Sequence, residues 1–226
     1  MSAVARGALP YQPRTLGLHE LQAEDVYSFY SPKCGRLVRV IGLPRLLVAL
    51  ELEFDPSVEV FIERPRTLVV DQQEVEFSWW HRHRGGREHL TLVVRAPETV
   101  MGSGGRARHR QAEALLAAAE AARLPLRFVC EAEMPLRGAR ATNQFRLLPS
   151  VQGAHRLSSR QALRQRVLEV VSTRERLRVD QIEQQLGGFS TADLSCGLAD
   201  LIHSGEVGID WDKPLGASSL TWRIES

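Results

Sequence analysis

Between Leu50 and Arg95 the chain carries the residue types from which a phosphodiester-cleaving centre is built. The two strings are ELEFDPSVEVFIERP from Glu51 and EVEFSWWHRHRGGREHLTLVVR from Glu74. Glu51, Glu53, Glu63 and Glu76 are carboxylates, and Arg95 closes the last apolar run with a cation. Metal-dependent cleavage needs two or three carboxylates converging on Mg²⁺. It usually also needs a lysine to orient the attacking water or steady charge on the phosphate. Lysine is scarce: of 29 basic residues only Lys33 and Lys213 are lysine, leaving 27 arginines, and neither lysine falls on an expected core strand. Arginine stays protonated and is a poor general base. The layout is that of a cutting site, but the charges are wrong for one.

Other residues carry weaker signals. His81 and His83 share a strand face at i and i+2, with His89 near enough to be a third ligand. A solvated hairpin tip beside Arg82, Arg84 and Arg87 accounts for the same residues better, and no metal site is expected there. Those arginines are suited to DNA phosphates, as are Lys33, Arg36 and Arg39 upstream and Arg106, Arg108 and Arg110 downstream. The glycine-rich segment Gly102–Gly105 lacks the GK[ST] ending of a phosphate-binding loop and reads as a linker. Trp79 and Trp80 point to opposite faces of a strand, so one is expected in the core and the other exposed or at an interface. Cys34, Cys130 and Cys196 are odd in number and form no CxxC pair, which argues for a reducing compartment and against a disulfide framework.

The elements that must position these residues follow from periodicity. Residues 1–30 read as a loosely structured arm broken by Pro10 and Pro13. SPKCGRLVRV (31–40) reads as a turn into a basic strand or loop. Leu43–Phe54 is a leucine-rich helix that Asp55-Pro56 stops. Val58–Ile62 and Arg66–Val70 read as strands. Glu74–Arg82 and His89–Arg95 read as an antiparallel pair joined through Arg84–Arg87. Ala107–Arg123 reads as a helix and Leu126–Cys130 as a buried strand. The result is a mixed α/β core. Beyond a boundary expected at 150–158 come three amphipathic helices, Arg160–Val171, Val179–Leu186 and Thr191–His203. Gly187-Gly188 ends the second, and Ser190 is placed to cap the third. A hairpin over Val207–Trp211 and Ser219–Ile224 completes a winged-helix pattern. The composition is that of an ordinary globular protein, 43% hydrophobic and 25% charged, with a net charge of +2 that demands no nucleic-acid partner. No stretch approaches the roughly 20 apolar residues of a membrane span, and a cytoplasmic protein is expected.

The string LELEFDPSVEVFIERP resembles the LEFDP-x-V-x-x-F-x-E-Q-P signature of the TnsA-type endonuclease subunit of heteromeric cut-and-paste transposases. SPKCGRLVRV is similar to that family's basic lead-in segment. EVEFSWWHRHRGGREHLTLVVR is similar to its YTPDFLV…DGR…LVEVK core, and LRFVCEAEM…RATNQFRLLPS to its closing segment. The likeness runs over roughly 30–226. It implies an arm (1–30), a restriction-endonuclease-like domain (31–150) with a mixed sheet flanked by helices, and a small winged-helix domain (158–226). Carried over residue by residue, the family's first catalytic glutamate, eight positions before the LEFDP glutamate, falls on Arg45. Its PDF aspartate falls on Glu76, and the acid and lysine of EVK fall on Val93 and Arg95. One carboxylate of three remains, so the resemblance implies a subunit that has lost its cutting chemistry and needs no cofactor.

The partners implied are transposon-end DNA, a TnsB-like transposase and a TnsC-like AAA+ ATPase regulator, in a prokaryote. The third C-terminal helix, TADLSCGLADLIH, has Asp193 and Asp200 but no Arg or Lys. Residues 151–226 hold 9 basic against 10 acidic residues, and residues 1–150 hold 20 against 17. That balance suits protein docking better than base reading. One alternative is an active Mg²⁺-dependent nuclease with a site rebuilt from Glu76 and Glu51, Glu53 or Glu63. Another is a winged-helix transcription regulator with an unrelated sensor domain.

Overall fold

The computed structural model describes residues 9–102, 104–134 and 138–225. Residues 1–8 of the expected arm and Ser103 of the glycine-rich segment lie outside them. The backbone is mixed α/β and divides into two compact units interleaved along the chain. The first comprises Met1–Ser28, Val38–Leu46 and Val58–Glu133, and the second Phe29–Leu37, Leu47–Ser57 and Met134–Ser226. The stretch 150–158, where the sequence suggests a boundary, lies inside the second unit.

Three elements lead the chain in. They are helix α1 (Leu18–Ala23) and the hairpin β1 (Val26–Ser31)–β2 (Arg36–Ile41), whose tip belongs to the second unit. The expectation of a loose arm over residues 1–30 is therefore corrected for its later part. Helix α2 (Leu43–Phe54) has the expected bounds. It ends before Asp55-Pro56, because the residue before proline is pushed out of the helical region.

The first unit is built on β3 (Val58–Glu63), β4 (Thr67–Val70), β5 (Gln73–Glu76), β6 (Trp79–His83), β7 (Glu88–Val94), β8 (Thr99–Met101), β9 (Ala107–His109), α3 (Ala112–Ala121) and β10 (Leu126–Cys130). The main sheet has the order β10-β7-β6-β3, with β10 parallel to β7 and the other pairs antiparallel. β7 is buried from Leu90 to Val94, a run apolar but for Thr91, as suits a strand covered on both faces. Two expected elements are split. Glu74–Arg82 becomes β5 and β6, since the chain leaves the β4–β5 ribbon at Phe77-Ser78 to join the main sheet. The start of Ala107–Arg123 is strand β9, paired with β8, so the glycine-rich segment is a hairpin tip rather than a linker. The β4–β5 turn places Asp71 and Gln72 at φ 49° and 63°, the twist a two-residue hairpin prefers.

Trp79 and Trp80 are both buried, at 0% and 1% exposure. This corrects the expectation that one of them is exposed. Phe61 meets the Trp79 ring edge-on at 5.6 Å, and Tyr11, from the N-terminal segment, covers Trp80 at 5.9 Å. That segment supplies the second apolar face, and the Glu88 carboxylate accepts from Trp80 Nε1 at 3.1 Å.

The second unit holds α4 (Gly138–Ala154), α5 (Arg160–Val171), β11 (Leu177–Arg178), α6 (Val179–Gln185), α7 (Thr191–Ser204), β12 (Val207–Ile209) and β13 (Leu220–Arg223). Its sheet order is β11-β13-β12. α4 runs through Pro149. The proline removes one backbone bond, and the burial of Leu147, Leu148 and Val151 around it holds the helix together. Ser190 caps α7 as expected, its Oγ accepting from Asp193 N at 3.1 Å. Close packing of α5 on α7 requires Gly197, because a Cβ there would lie 2.7 Å from Leu163. Among the described residues no helix is long and apolar enough to cross a membrane.

Candidate functional site

The positions expected to be vestigial do come together in part. Arg45 and Glu76 line one cavity of about 160 Å³ in the first unit, together with Glu20, Glu24, Arg39 and Arg64. Glu63 and Ser78 also border it. Val93 does not open onto it as an acid would: it is buried at 2% exposure and ties β7 to the site only through its backbone N–H, which donates to Ser78 Oγ at 3.0 Å.

Arg64 is the hub of this cavity. It follows β3 with a left-handed φ of 49°, a conformation that a non-glycine residue holds only when its surroundings impose it. Its Nε donates to both oxygens of Glu76 at 2.8 and 2.9 Å. Its Nη1 and Nη2 donate to the two oxygens of Glu20 at 3.1 and 2.9 Å. Burial works against the charged guanidinium, but the Glu76 and Glu20 carboxylates more than offset it and hold its pKa above the usual value. Arg14 adds a contact to Glu76 at 3.2 Å, and Arg95 reaches Glu24 at 2.7 Å. Arg45 is less satisfied than Arg64, Arg14 or Arg95. Among the described residues its guanidinium donates only to the Ile41 carbonyl, at 3.3 Å. Burial lowers its pKa; Glu24 and Glu76 oppose that shift and Arg95 adds to it.

The arrangement is a network of guanidinium–carboxylate pairs rather than a set of free metal ligands. The Glu76 carboxylate is held by two guanidinium groups, so a divalent ion there would have to displace both and accept Arg45 as a like-charged neighbour. Among the described residues no group of three or more His, Cys, Asp or Glu side chains is arranged to hold a metal ion. The acids proposed as substitutes are also engaged. In the second unit Glu53, fully buried, accepts from Ser31 Oγ and from Lys33 N at 3.1 Å and lies 2.7 Å from His203 Nε2. Burial alone would raise its pKa, but the His203 contact and the Ser31 and Lys33 interactions lower it overall. Glu51 lines a separate groove of the second unit with Phe54 and Trp211.

The expected phosphate contacts divide by environment. Lys33 donates its ammonium to the carbonyls of Leu52 and Asp55 at 2.7 and 2.6 Å, capping the end of α2. Arg36 turns to the Leu37 carbonyl at 3.2 Å. Arg82 pairs with Glu59 at 3.0 Å and lies 5.8 Å over the Trp80 ring. Arg84 and Arg87 are exposed on the β6–β7 turn, and Arg106, Arg108 and Arg110 are exposed on and beside β9, with Arg108 3.3 Å from Glu113. Arg87 precedes the seven-residue β7 and Arg95 follows it, so roughly 26 Å separates them at about 3.3 Å per residue. His81, His83 and His89 form a ring cluster with centroids 5.2–5.5 Å apart. In the second unit Asp200 is buried at 1% exposure against Arg160 and Arg164. It is therefore not part of an acidic face of α7, which corrects that expectation.

Sequence reasoning missed Arg64, Glu20 and Glu24. A signal was present: Gly17-x-x-Glu20 has the spacing at which a glutamate reaches back to a helix start, and Glu20 Oε2 does accept from Gly17 N at 2.7 Å. No protein-family profile matches this chain, and no curated protein matches its sequence.

Proposed function

We propose that this chain is a TnsA-like subunit of a DNA transposition complex that binds transposon-end DNA without cutting it. It docks a TnsB-like transposase and a TnsC-like AAA+ regulator in a prokaryotic cytoplasm. The motif order from 30 to 226 supports the family reading. The mixed sheet β10-β7-β6-β3, with α3 on the crossover from β7 to β10, is compatible with a restriction-endonuclease-like core. Helices α5, α6 and α7 with the sheet β11-β13-β12 are compatible with a winged helix.

The observation that carries the loss of cutting is the ion pairing of Glu76. The one acid left at a catalytic position is held by Arg64 and Arg14, and Arg45 occupies the wall where another acid belongs. A guanidinium in place of a ligand repels a divalent ion and cannot deprotonate water. On this reading only the transposase's 3′ strand cut remains, and the product is a cointegrate. The test is a reconstituted reaction on a plasmid carrying the element ends, with strand breaks mapped in Mg²⁺ and in Mn²⁺. The expected breaks are 3′ only. A 5′ break that disappears in Glu76→Ala would instead establish the alternative, an active nuclease; the reading in its favour is that Glu63 and Glu76 border the same cavity.

A further inference from the structure

The cavity around Arg64 is covered by part of its own chain. The segment from Pro10 to Glu24 runs over the first unit with most of its residues exposed. Leu18 and Leu21 of α1 are 80% and 44% exposed, so apolar burial contributes little to holding the helix in place. A six-residue helix has no stability of its own. What holds the segment is polar: Glu20 on Arg64, Glu24 on Arg95, Arg14 on Glu76, and one backbone bond from Arg14 N to Arg64 O at 3.2 Å. Tyr11 on Trp80 is its apolar anchor.

Charge shows what the segment replaces. Without Glu20 and Glu24, the groups around the cavity are Arg39, Arg45, Arg64 and Arg95 against Glu63 and Glu76, an excess of two positive charges. The two strap glutamates oppose that excess, while Arg14 of the same strap returns one positive charge beside Glu76, so the strap brings a net charge of −1 to the site. Glu20 meets Arg64 through two parallel N–H···O bonds, the geometry in which a guanidinium also binds two oxygens of a phosphate. Arg39 is exposed beside it, and the half-buried Arg45 guanidinium has donors to spare.

We infer that the N-terminal strap is an autoinhibitory phosphate mimic. Glu20 and Glu24 occupy a site for the backbone phosphates of DNA formed by Arg39, Arg45, Arg64 and Arg95, and DNA binds there by displacing the strap. The inference rests on the DNA-binding part of the proposed function and extends it to a named site and its control.

The experiment uses the full chain and a labelled 20-base-pair duplex, with binding read by fluorescence anisotropy. Glu20→Gln/Glu24→Gln keeps the side-chain shape and removes the charge, and should tighten binding at least about fivefold, the lower range of a typical coupling between sites. Adding Arg64→Gln to that double variant should abolish the gain. Because Arg64→Gln also removes a buried ion pair, hydrogen exchange on the wild-type chain provides a second readout. Saturating duplex should speed exchange at the amides of Arg14 and Leu21, which are bonded within the strap or to the cavity rim. Duplex binding that is insensitive to Glu20 and Glu24, or unchanged exchange at those amides, overturns the strap and leaves DNA binding intact. No duplex binding by any form overturns both.

Discussion

At Asp200 a single carboxylate shows how far residue type alone can mislead. In the sequence it is one of two acids on a helix without basic residues, and so it reads as surface charge. In the fold it is buried at 1% exposure, with Arg160 donating to it at 2.8 and 2.8 Å and Arg164 at 2.7 Å. Burial favours its neutral form, but the two arginines outweigh burial and hold its pKa below the ordinary 3.8. The sign follows from that direction. An acid whose folded pKa is depressed contributes stability above the unfolded value, and the contribution is lost as pH falls below 3.8 and through the lower folded value. Replacing it takes the buried carboxylate from both guanidinium groups, although Arg164 keeps its pairing with Glu206. Asp200→Asn should therefore cost about 3 kcal/mol, near the low end for a broken buried pair because Arg160 is 36% exposed. Urea unfolding of the full chain measures it. The deficit should shrink as pH falls below 3.8, where the unfolded chain takes up a proton at Asp200 that the folded carboxylate still excludes.

Elements were legible where one local rule decided them. Helix α2 lies between a glycine and Asp55-Pro56, and α7 runs from a serine cap to Gly205, so their bounds follow from the chain itself. Gly205 shows the strength of such a signal. It ends α7 at φ 80°, and a Cβ there would lie 2.5 Å from the Pro56 side chain. Gly205→Ala should cost roughly 1–3 kcal/mol from strain and overpacking together, read as a lowered urea midpoint with an unchanged slope. Elements whose partners are distant were not legible. β5 and β6 look like one strand until two different ladders pull the chain apart at Phe77-Ser78. β9 has the composition of a helix start, yet it pairs with β8 while its His109 ring stacks 6.2 Å from Phe128. α1 is too short for periodicity to reveal it, and Glu20 within it and Glu24 just after it find their arginines 44 and 71 residues away.

For the whole molecule, charge has to be divided by the folded units rather than by sequence halves. The first unit holds 15 basic against 14 acidic residues and the second 14 against 13, so each carries +1. The asymmetry of the linear division disappears, because Glu51, Glu53 and Asp55 belong with the C-terminal helices while Arg39 and Arg45 belong with the sheet. If the chain binds DNA as proposed, the affinity comes from local arrays of arginine rather than from net charge. Each phosphate neutralised adds about 0.9 to the slope of log K against log salt. Arg106→Gln/Arg110→Gln should lower that slope by about two across duplex sequences. Arg174→Gln, an exposed change in the second unit, should leave it unaltered. Equal slopes for both variants would remove the β9 arginines from the interface.

Sequence by itself determined the mixed α/β class, the stop of α2 and the cap of α7. It also set which residues, Arg45 and Val93, stand where the resemblance leads one to expect catalytic acids. Each of these depends on residues adjacent in the chain or on residue identity alone. Tertiary structure decided what the surviving groups do. It put Arg64 between Glu76 and Glu20, sank Glu53 against His203 and Asp200 against two arginines, and laid the N-terminal segment across the cavity. A charge takes its role from whichever group neutralises it, and in this protein those partners lie from 12 to 150 residues apart in the chain.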